Sequence, residues 1–242
     1  MFRRVESFAA ILAVVALCDC GPRAALDVGR DLFSSTSVSS APPNRFTCAT
    51  CHEIVSNPTK LRPGYTLFDA AVRPSYWGAT IETLLEATNE CLVQFMRSKP
   101  FDASDENGRA LFVYLQSEAP DPSSPALPLT VVQNIVDVPS GDATAGESLF
   151  RNSCGVCHGD PHTGAGRIST EASIVPDASL QSFGSDPVKG ARPVVIEKVQ
   201  HGKFFNISGT MPLFSLEALS DVQLGDILAY LEGFGLPPSA SP

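Results

Sequence analysis

The chain has 242 residues and a formal net charge of −9 at pH 7, with 43% hydrophobic and 18% charged residues. This length suits one large domain or two domains of about 100 residues, and the composition is ordinary for a globular protein, which excludes disorder throughout. Proteins that bind nucleic acid neutralise phosphates with a basic surface, so the acidic balance excludes that class of partner.

The first 19 residues have the organisation of an export signal. A basic start is followed by an apolar stretch at 8–17, which is too short to span a bilayer. Cys18, directly after this stretch, resembles the acylated cysteine of a bacterial lipoprotein, and Cys20 fits that role less well. The alternative is a plain cleaved signal. Both predict export to the periplasm, where the remaining cysteines require disulfides or covalent attachments.

Two stretches repeat the same order of features on either side of the proline-rich segment 119–141. Each has a Gly-x-x-x-Phe pattern, then C-x-x-C-H, a loop, a methionine and a last helix. We therefore predict two domains, 24–118 and 142–236, joined by a stiff linker. Helical periodicity predicts an all-α fold, and Ser220 begins a capping box with Gln223. The predicted helices are, in chain order, 24–33, 80–97, 104–116, 144–152, 193–201 and 220–234.

The C-x-x-C-H motif occurs twice, in matching places of the two halves. Its two thiols can add to the two vinyl groups of haem, and the histidine is then held beneath the ring with a nitrogen free for iron. A thioredoxin-type dithiol would need a βαβ setting, and a four-cysteine zinc site would leave both histidines unexplained. We therefore predict two haem c groups. They are attached at Cys48 and Cys51 and at Cys154 and Cys157, with His52 and His158 as iron ligands.

Methionine is rare in this chain, which has three. Met1 belongs to the predicted signal, whereas Met96 and Met211 each lie between the attachment motif and the last helix of one half. A thioether at that place suits the sixth coordination position of haem iron, and filling a gap in a core is the alternative. Pro212 stiffens the loop beside Met211. We predict Met96 as a ligand of the first haem iron and Met211 as a ligand of the second.

Residues 142–236 closely resemble a class I cytochrome c domain. The resemblance rests on four short sequences: GESLF at 146–150, CGVCH at 154–158, GTMP at 209–212 and ILAYL at 227–231. It implies a few helices around the haem. The first and last of them would cross where Gly146 and Phe150 meet Tyr230.

The first half is more divergent. Its sequence NRFTCATCH at 44–52 and the segment 77–96 resemble the N-terminal domains of dihaem cytochromes. The resemblance implies that Gly29 and Phe33 meet Tyr114 in the same way.

Cys91 belongs to neither motif. It is either an inert buried thiol, with Cys20 as its one disulfide candidate if Cys18 is acylated, or a thiolate ligand of the first haem. The second reading follows the resemblance to dihaem thiosulfate dehydrogenases, in which a cysteine-ligated haem is catalytic. On an ideal helix Cys91 and Met96 would lie about 140° apart, so only one of them should bind the iron.

The other two histidines are weaker candidates. We expect His162 to face solvent, and His201 to cap a helix or approach a haem propionate. Four further side chains could pack around the first haem, although their spacing decides nothing. They are Tyr65, Arg73, Tyr76 and Trp77.

The sequence therefore predicts a lipid-anchored periplasmic dihaem c-type cytochrome. Low-spin His/Met iron changes oxidation state with little ligand movement, which favours an electron carrier between redox partners of a respiratory chain over an enzyme. We expect such partners to present a basic or weakly charged face. One alternative is an oxidoreductase that uses the first haem on a small sulfur compound or peroxide. Another is a cytochrome subunit of a larger respiratory complex.

Overall fold

The computed structural model describes residues 22–203 and 209–240. Throughout these residues the regular structure is helical, apart from one isolated bridge between Tyr76 and Ile81, which confirms the all-α prediction. None of the described helices is long and apolar enough to cross a membrane. The predicted signal, with Cys18 and Cys20, lies outside the described residues.

Nine α-helices and two short 3₁₀ helices follow one another along the described chain. The α-helices are α1 (Pro22–Ser34), α2 (Cys48–Cys51), α3 (Leu84–Gln94), α4 (Glu106–Ser117), α5 (Ala143–Ser153), α6 (Gly155–His158), α7 (Asp177–Phe183), α8 (Ala191–His201) and α9 (Asp221–Glu232). The 3₁₀ helices are Thr36–Val38 and Ala70–Val72.

The helix predicted at 80–97 is shorter than expected at both ends. Its N-cap is Thr83, whose side chain accepts a hydrogen bond from the Glu86 backbone N–H. At the other end the Met96 N–H donates to the Cys91 carbonyl, and Arg97 has φ of 54°, which ends the helix. Met96 therefore lies beyond α3. The angle estimated between Met96 and Cys91 on an ideal helix does not apply.

Two helix crossings have the same design in the two halves. α1 crosses α4, and α5 crosses α9. A Cβ at Gly146 would overlap the Asp226 carbonyl oxygen of α9, so only glycine permits this approach. Beside that contact the rings of Phe150 and Tyr230 lie 5.6 Å apart. The expected contact of Gly146 and Phe150 with Tyr230 is confirmed.

The first half has the equivalent contacts. A Cβ at Gly29 would overlap the Ala110 carbonyl oxygen and come within 2.8 Å of Tyr114 Cβ. The rings of Phe33 and Tyr114 are 5.7 Å apart. Each crossing holds one end of a hydrophobic core: α1, α3 and α4 contribute to the first core, and α5, α8 and α9 to the second.

The proline-rich segment 119–141 contains no helix, but it packs against its neighbours. The backbone N–H of Thr130 donates to the Glu217 carboxylate at 2.9 Å, and the Leu216 N–H donates to the Thr130 carbonyl at 3.1 Å. Val138 is buried in the second core. The Ser124 N–H also donates to the Val72 carbonyl at 3.4 Å, so the segment contacts both halves.

Candidate functional site

Two cavities adjoin in the middle of the molecule. The first has a volume of about 180 Å³ and the second about 490 Å³. They have a wall in common, to which both halves contribute. The residues of this shared wall are Phe46, Pro63, Phe95, Met96 and Pro212.

The second cavity brings together the whole predicted ligand set of its half. Cys154, Cys157, His158 and Met211 all line it. Nδ1 of His158 lies 2.8 Å from the Ser173 carbonyl oxygen. A carbonyl can only accept, so Nδ1 carries the proton and Nε2 keeps the lone pair that a metal ligand needs. Burial lowers the pKa of His158, which keeps the ring neutral.

The first cavity is built in the same way. Cys48, Cys51 and His52 line it, and His52 Nδ1 donates to the Tyr65 carbonyl oxygen at 2.6 Å. The His52 ring rests on Gly64, where a Cβ would overlap three of its atoms. Burial lowers the pKa of His52, so Nε2 again carries a lone pair. The sequence reasoning had not noticed Gly64, whose lack of a side chain makes room for the ring.

Two sulfur-containing side chains outside the C-x-x-C-H motif also line the first cavity. They are Cys91, on α3, and Met96, just after the end of α3. Cys91 is partly exposed toward the cavity, and it forms no disulfide within the described residues. Burial, with the nearby Cys48 and Glu90, raises the pKa of Cys91 to about 12. Its thiol therefore stays protonated unless a cation binds it. Met96 is buried in the shared wall.

The two attachment motifs are neighbours. Burial raises the pKa of Cys51, and the thiol of Cys157 in the other motif raises it further. Burial also raises the pKa of Cys48 to about 12 and that of Cys154 to about 11. Unreacted thiols at these positions would therefore be neutral.

The donor sets fit haem c in both halves, because each offers two thiols and a histidine with a free Nε2. The second cavity also has the volume of an ordinary ligand pocket, which is roughly 300–1,000 Å³. The first cavity is smaller than that range, so some of its lining would have to move outward to admit a haem.

Arg73 brings a positive charge into the first cavity. Among the described residues that line this cavity it is the only one with a permanent charge. Its Nη2 donates to the carbonyls of Thr66 and Phe68 at 3.1 and 2.6 Å, and its buried Nε has no hydrogen-bond partner. Burial lowers the pKa of Arg73. This charge favours an anion in the first cavity.

The remaining candidates separate into two groups. His162 is exposed, with Nδ1 within 2.8 Å of the Asp177 carboxylate, and it lines neither cavity. His201 ends α8, and its Nε2 lies 2.8 Å from the Val132 carbonyl oxygen. By contrast, three side chains that the sequence only suggested all line the first cavity. They are Tyr65, Tyr76 and Trp77.

Comparisons with known proteins agree with this chemistry. The family described as cytochrome c oxidase, cbb3-type, subunit III matches residues 141–231. Over 204 residues the chain is 26% identical to a thiosulfate dehydrogenase from Psychrobacter arcticus. That match covers 82% of this chain and 58% of the relative, so the chain spans little more than half of that protein's length.

One solved structure is also similar. It is the as-isolated form of the thiosulfate dehydrogenase from Marichromatium purpuratum, with a TM-score of 0.43 and 18% sequence identity. The similarity covers 91% of this chain and 48% of that one.

The family match coincides with the second half of the structure. It includes the α5–α9 crossing, the second C-x-x-C-H motif and the methionine of the second cavity. Residues 141–231 thus match a cytochrome c-type domain, which implies a covalently bound haem c in this part of the chain.

Proposed function

We propose that this chain is a dihaem c-type cytochrome in which the first haem site oxidises a small anionic sulfur compound and the second passes the electrons on. The position of Cys91 carries this proposal. Its thiol lines the cavity that contains the first attachment motif, where an inert core thiol would lie within the packed helices. The similarity to a thiosulfate dehydrogenase over 204 residues supports thiosulfate as the substrate.

The proposed attachment and ligand residues are those of the two motifs. Cys48 and Cys51 hold the first haem and Cys154 and Cys157 the second. His52 and Cys91 are the proposed ligands of the first iron, and His158 and Met211 those of the second. Two haems held by these residues would supply acceptors for the two electrons released when two thiosulfate ions join through a new S–S bond as tetrathionate.

The protein side of this reaction is electrostatic and positional. Arg73 presents the one permanent positive charge among the described residues lining the first cavity, which suits a dianion. Tyr65 holds His52 through its carbonyl, so the Nε2 lone pair is directed away from that hydrogen bond. The apolar side chains around Cys91, among them Leu84, Ala87 and Phe95, limit the access of water.

The second candidate function is simple electron transfer, with Met96 as the ligand of the first iron. The observation that favours it is the position of Met96, whose buried side chain also lines the first cavity. Two His/Met haems would then carry electrons between partner proteins without chemistry of their own.

Export and anchoring belong to the same proposal. A basic start, an apolar stretch at 8–17 and Cys18 support a periplasmic protein with an N-terminal lipid. Its redox partners would then be other periplasmic or membrane proteins of a respiratory chain.

A matched pair of variants of the full holoprotein separates the two functions. We expect Cys91→Ser to lower thiosulfate oxidation by more than about tenfold, the scale of losing a metal-site partner. It should also shift the electron paramagnetic resonance g-values of one haem. Met96→Leu should leave those g-values in place.

The reverse pattern would support the electron carrier. In that case Met96→Leu would remove one methionine-to-iron absorption band, and Cys91→Ser would leave both haem spectra unchanged. Mass spectrometry of the intact protein counts the haems in each variant. A mass with only one haem would contradict the dihaem proposal.

A further inference from the structure

A short segment of the first half runs between the two haem sites. Leu61 packs against the second core, Pro63 lies in the shared wall of the two cavities, and the Gly64 N–H donates to the Cys51 carbonyl at 2.9 Å. Arg62 lies between Leu61 and Pro63. Its backbone is therefore held at the place where the two cavities meet.

The Arg62 guanidinium forms no ion pair with a carboxylate of the described residues. Its Nε and Nη1 are buried without a hydrogen-bond partner. Its charge acts on both motifs. Burial raises the pKa of Cys51 and of Cys157, and the Arg62 charge opposes this rise at each thiol.

We infer that Arg62 is an electrostatic residue common to both haem sites, and that its positive charge raises the reduction potentials of both haems. The inference rests on the dihaem arrangement proposed above. Reduction adds an electron to each iron, and a fixed cation nearby stabilises the site after that electron arrives. Because Nε and Nη1 of the guanidinium are buried, salt should screen this interaction less than it screens a fully exposed charge.

The other partly buried arginine of this region acts differently. Arg73 lines only the first of the two cavities, so its charge should act mainly on the first haem. Arg62 is distinguished by its place between the two motifs. Because the Arg62 charge acts on both sites, it raises both potentials together. Both haems then accept electrons readily, and the difference between their potentials is kept.

The test is a spectroelectrochemical titration of the full holoprotein and its variants. We expect Arg62→Gln to lower the equilibrium constant for reduction of both haems by roughly tenfold, as for a unit charge about 10 Å away at an effective dielectric constant near 20. For a one-electron couple that change is about 59 mV. Arg62→Lys keeps the charge and should keep both potentials. Arg73→Gln should move one potential only.

Arg62→Met provides a second neutral variant of similar length, should the amide disturb haem maturation. The inference is overturned if the neutral variants move only one potential or neither, or if Arg62→Lys moves both as far as Arg62→Gln. A pyridine haemochrome assay on the same samples counts the haems. One haem per chain would refute the dihaem proposal itself, whereas two haems with unchanged potentials would refute only the role of Arg62.

Discussion

Arg192 is the most buried charged residue in the part of the chain that the structure describes, with a relative exposure of 0%. Its Nε donates to Asp137 and its Nη1 to Glu232, both at 2.8 Å. Nη1 and Nη2 also donate to the carbonyls of Pro237 and Val138, at 3.0 and 2.6 Å. One side chain on α8 therefore joins the segment before α5, the end of α9 and the chain after it.

We expect Arg192→Met to destabilise the holoprotein by about 3–5 kcal/mol, because it removes the buried cation that pairs with two carboxylates and donates to two carbonyls. Chemical denaturation followed by far-ultraviolet circular dichroism measures the loss. Arg151→Met is the control, since Arg151 is exposed and pairs with Glu147 on the surface. An equal loss in both variants would contradict the role of burial.

Sequence reasoning at the residue scale identified the groups with distinctive chemistry. The motif cysteines and histidines are marked by their spacing, and Met96 and Met211 by their rarity. Arg62 and Arg192 carry no such mark, because their importance comes from where distant segments enclose them. No local pattern encodes that enclosure.

At the scale of elements, helical periodicity predicted every long helix except one to within two residues at each end. The exception is the helix predicted at 80–97. The apolar period extends beyond both ends of the actual helix, into residues that are not helical. The Thr83 cap and the left-handed Arg97 set its true ends. Three helices escaped prediction because each has seven residues or fewer, too short for a period to show. They are α2, α6 and α7.

The two glycine crossings give a prediction for these elements. Gly146→Ala should destabilise the holoprotein by about 1–3 kcal/mol, because its Cβ would overlap a backbone carbonyl that cannot move alone. Gly29→Ala should act similarly in the first half. Thermal unfolding monitored by the haem absorbance gives both values.

Gly108→Ala is the matched control within α4. A Cβ there would meet the Phe101 ring at 3.2 Å, and alanine favours the helix by up to about 1 kcal/mol, so the two effects should nearly cancel. If Gly146→Ala proved as mild as Gly108→Ala, the close helix crossing would not be the constraint we infer.

At the scale of the whole molecule, a hydrogen-bonded junction around Tyr65 and Glu217 connects the two halves. The Tyr65 hydroxyl lies 3.1 Å from Ser215 Oγ and donates to Glu217 at 3.2 Å, while Thr130 donates to the same carboxylate. The Tyr65 carbonyl accepts from His52. This junction therefore connects the loop that follows Met211 to the histidine of the first motif.

Glu217 makes the junction sensitive to acid. Partial burial would raise the pKa of Glu217, but hydrogen bonds, chiefly from Thr130, lower it to about 2. Because this folded pKa lies below the reference value of 4.5, the ionised carboxylate stabilises the folded protein fully above about pH 4.5. That contribution is lost as the pH falls from about 4.5 to about 2.

We expect Glu217→Gln to lower the denaturation midpoint at pH 7 and to change stability less than the wild type does between about pH 4.5 and 2. Urea titrations at a series of pH values measure both effects. Glu82→Gln, at an exposed position of the first half, is the control. A pH profile of Glu217→Gln parallel to that of the wild type would rule out this role of the carboxylate.

The sequence by itself determined the chemistry of this protein and its helical elements. Attachment motifs, a rare thioether and an apolar period are local patterns, and covalent chemistry and backbone hydrogen bonding act over a few residues. The tertiary structure alone decided that Cys91 lines the first cavity, that Arg62 lies between the two motifs and that Tyr65 reaches Glu217. These relations depend on how two cores pack against each other, and that packing sums many weak contacts between residues far apart in the chain.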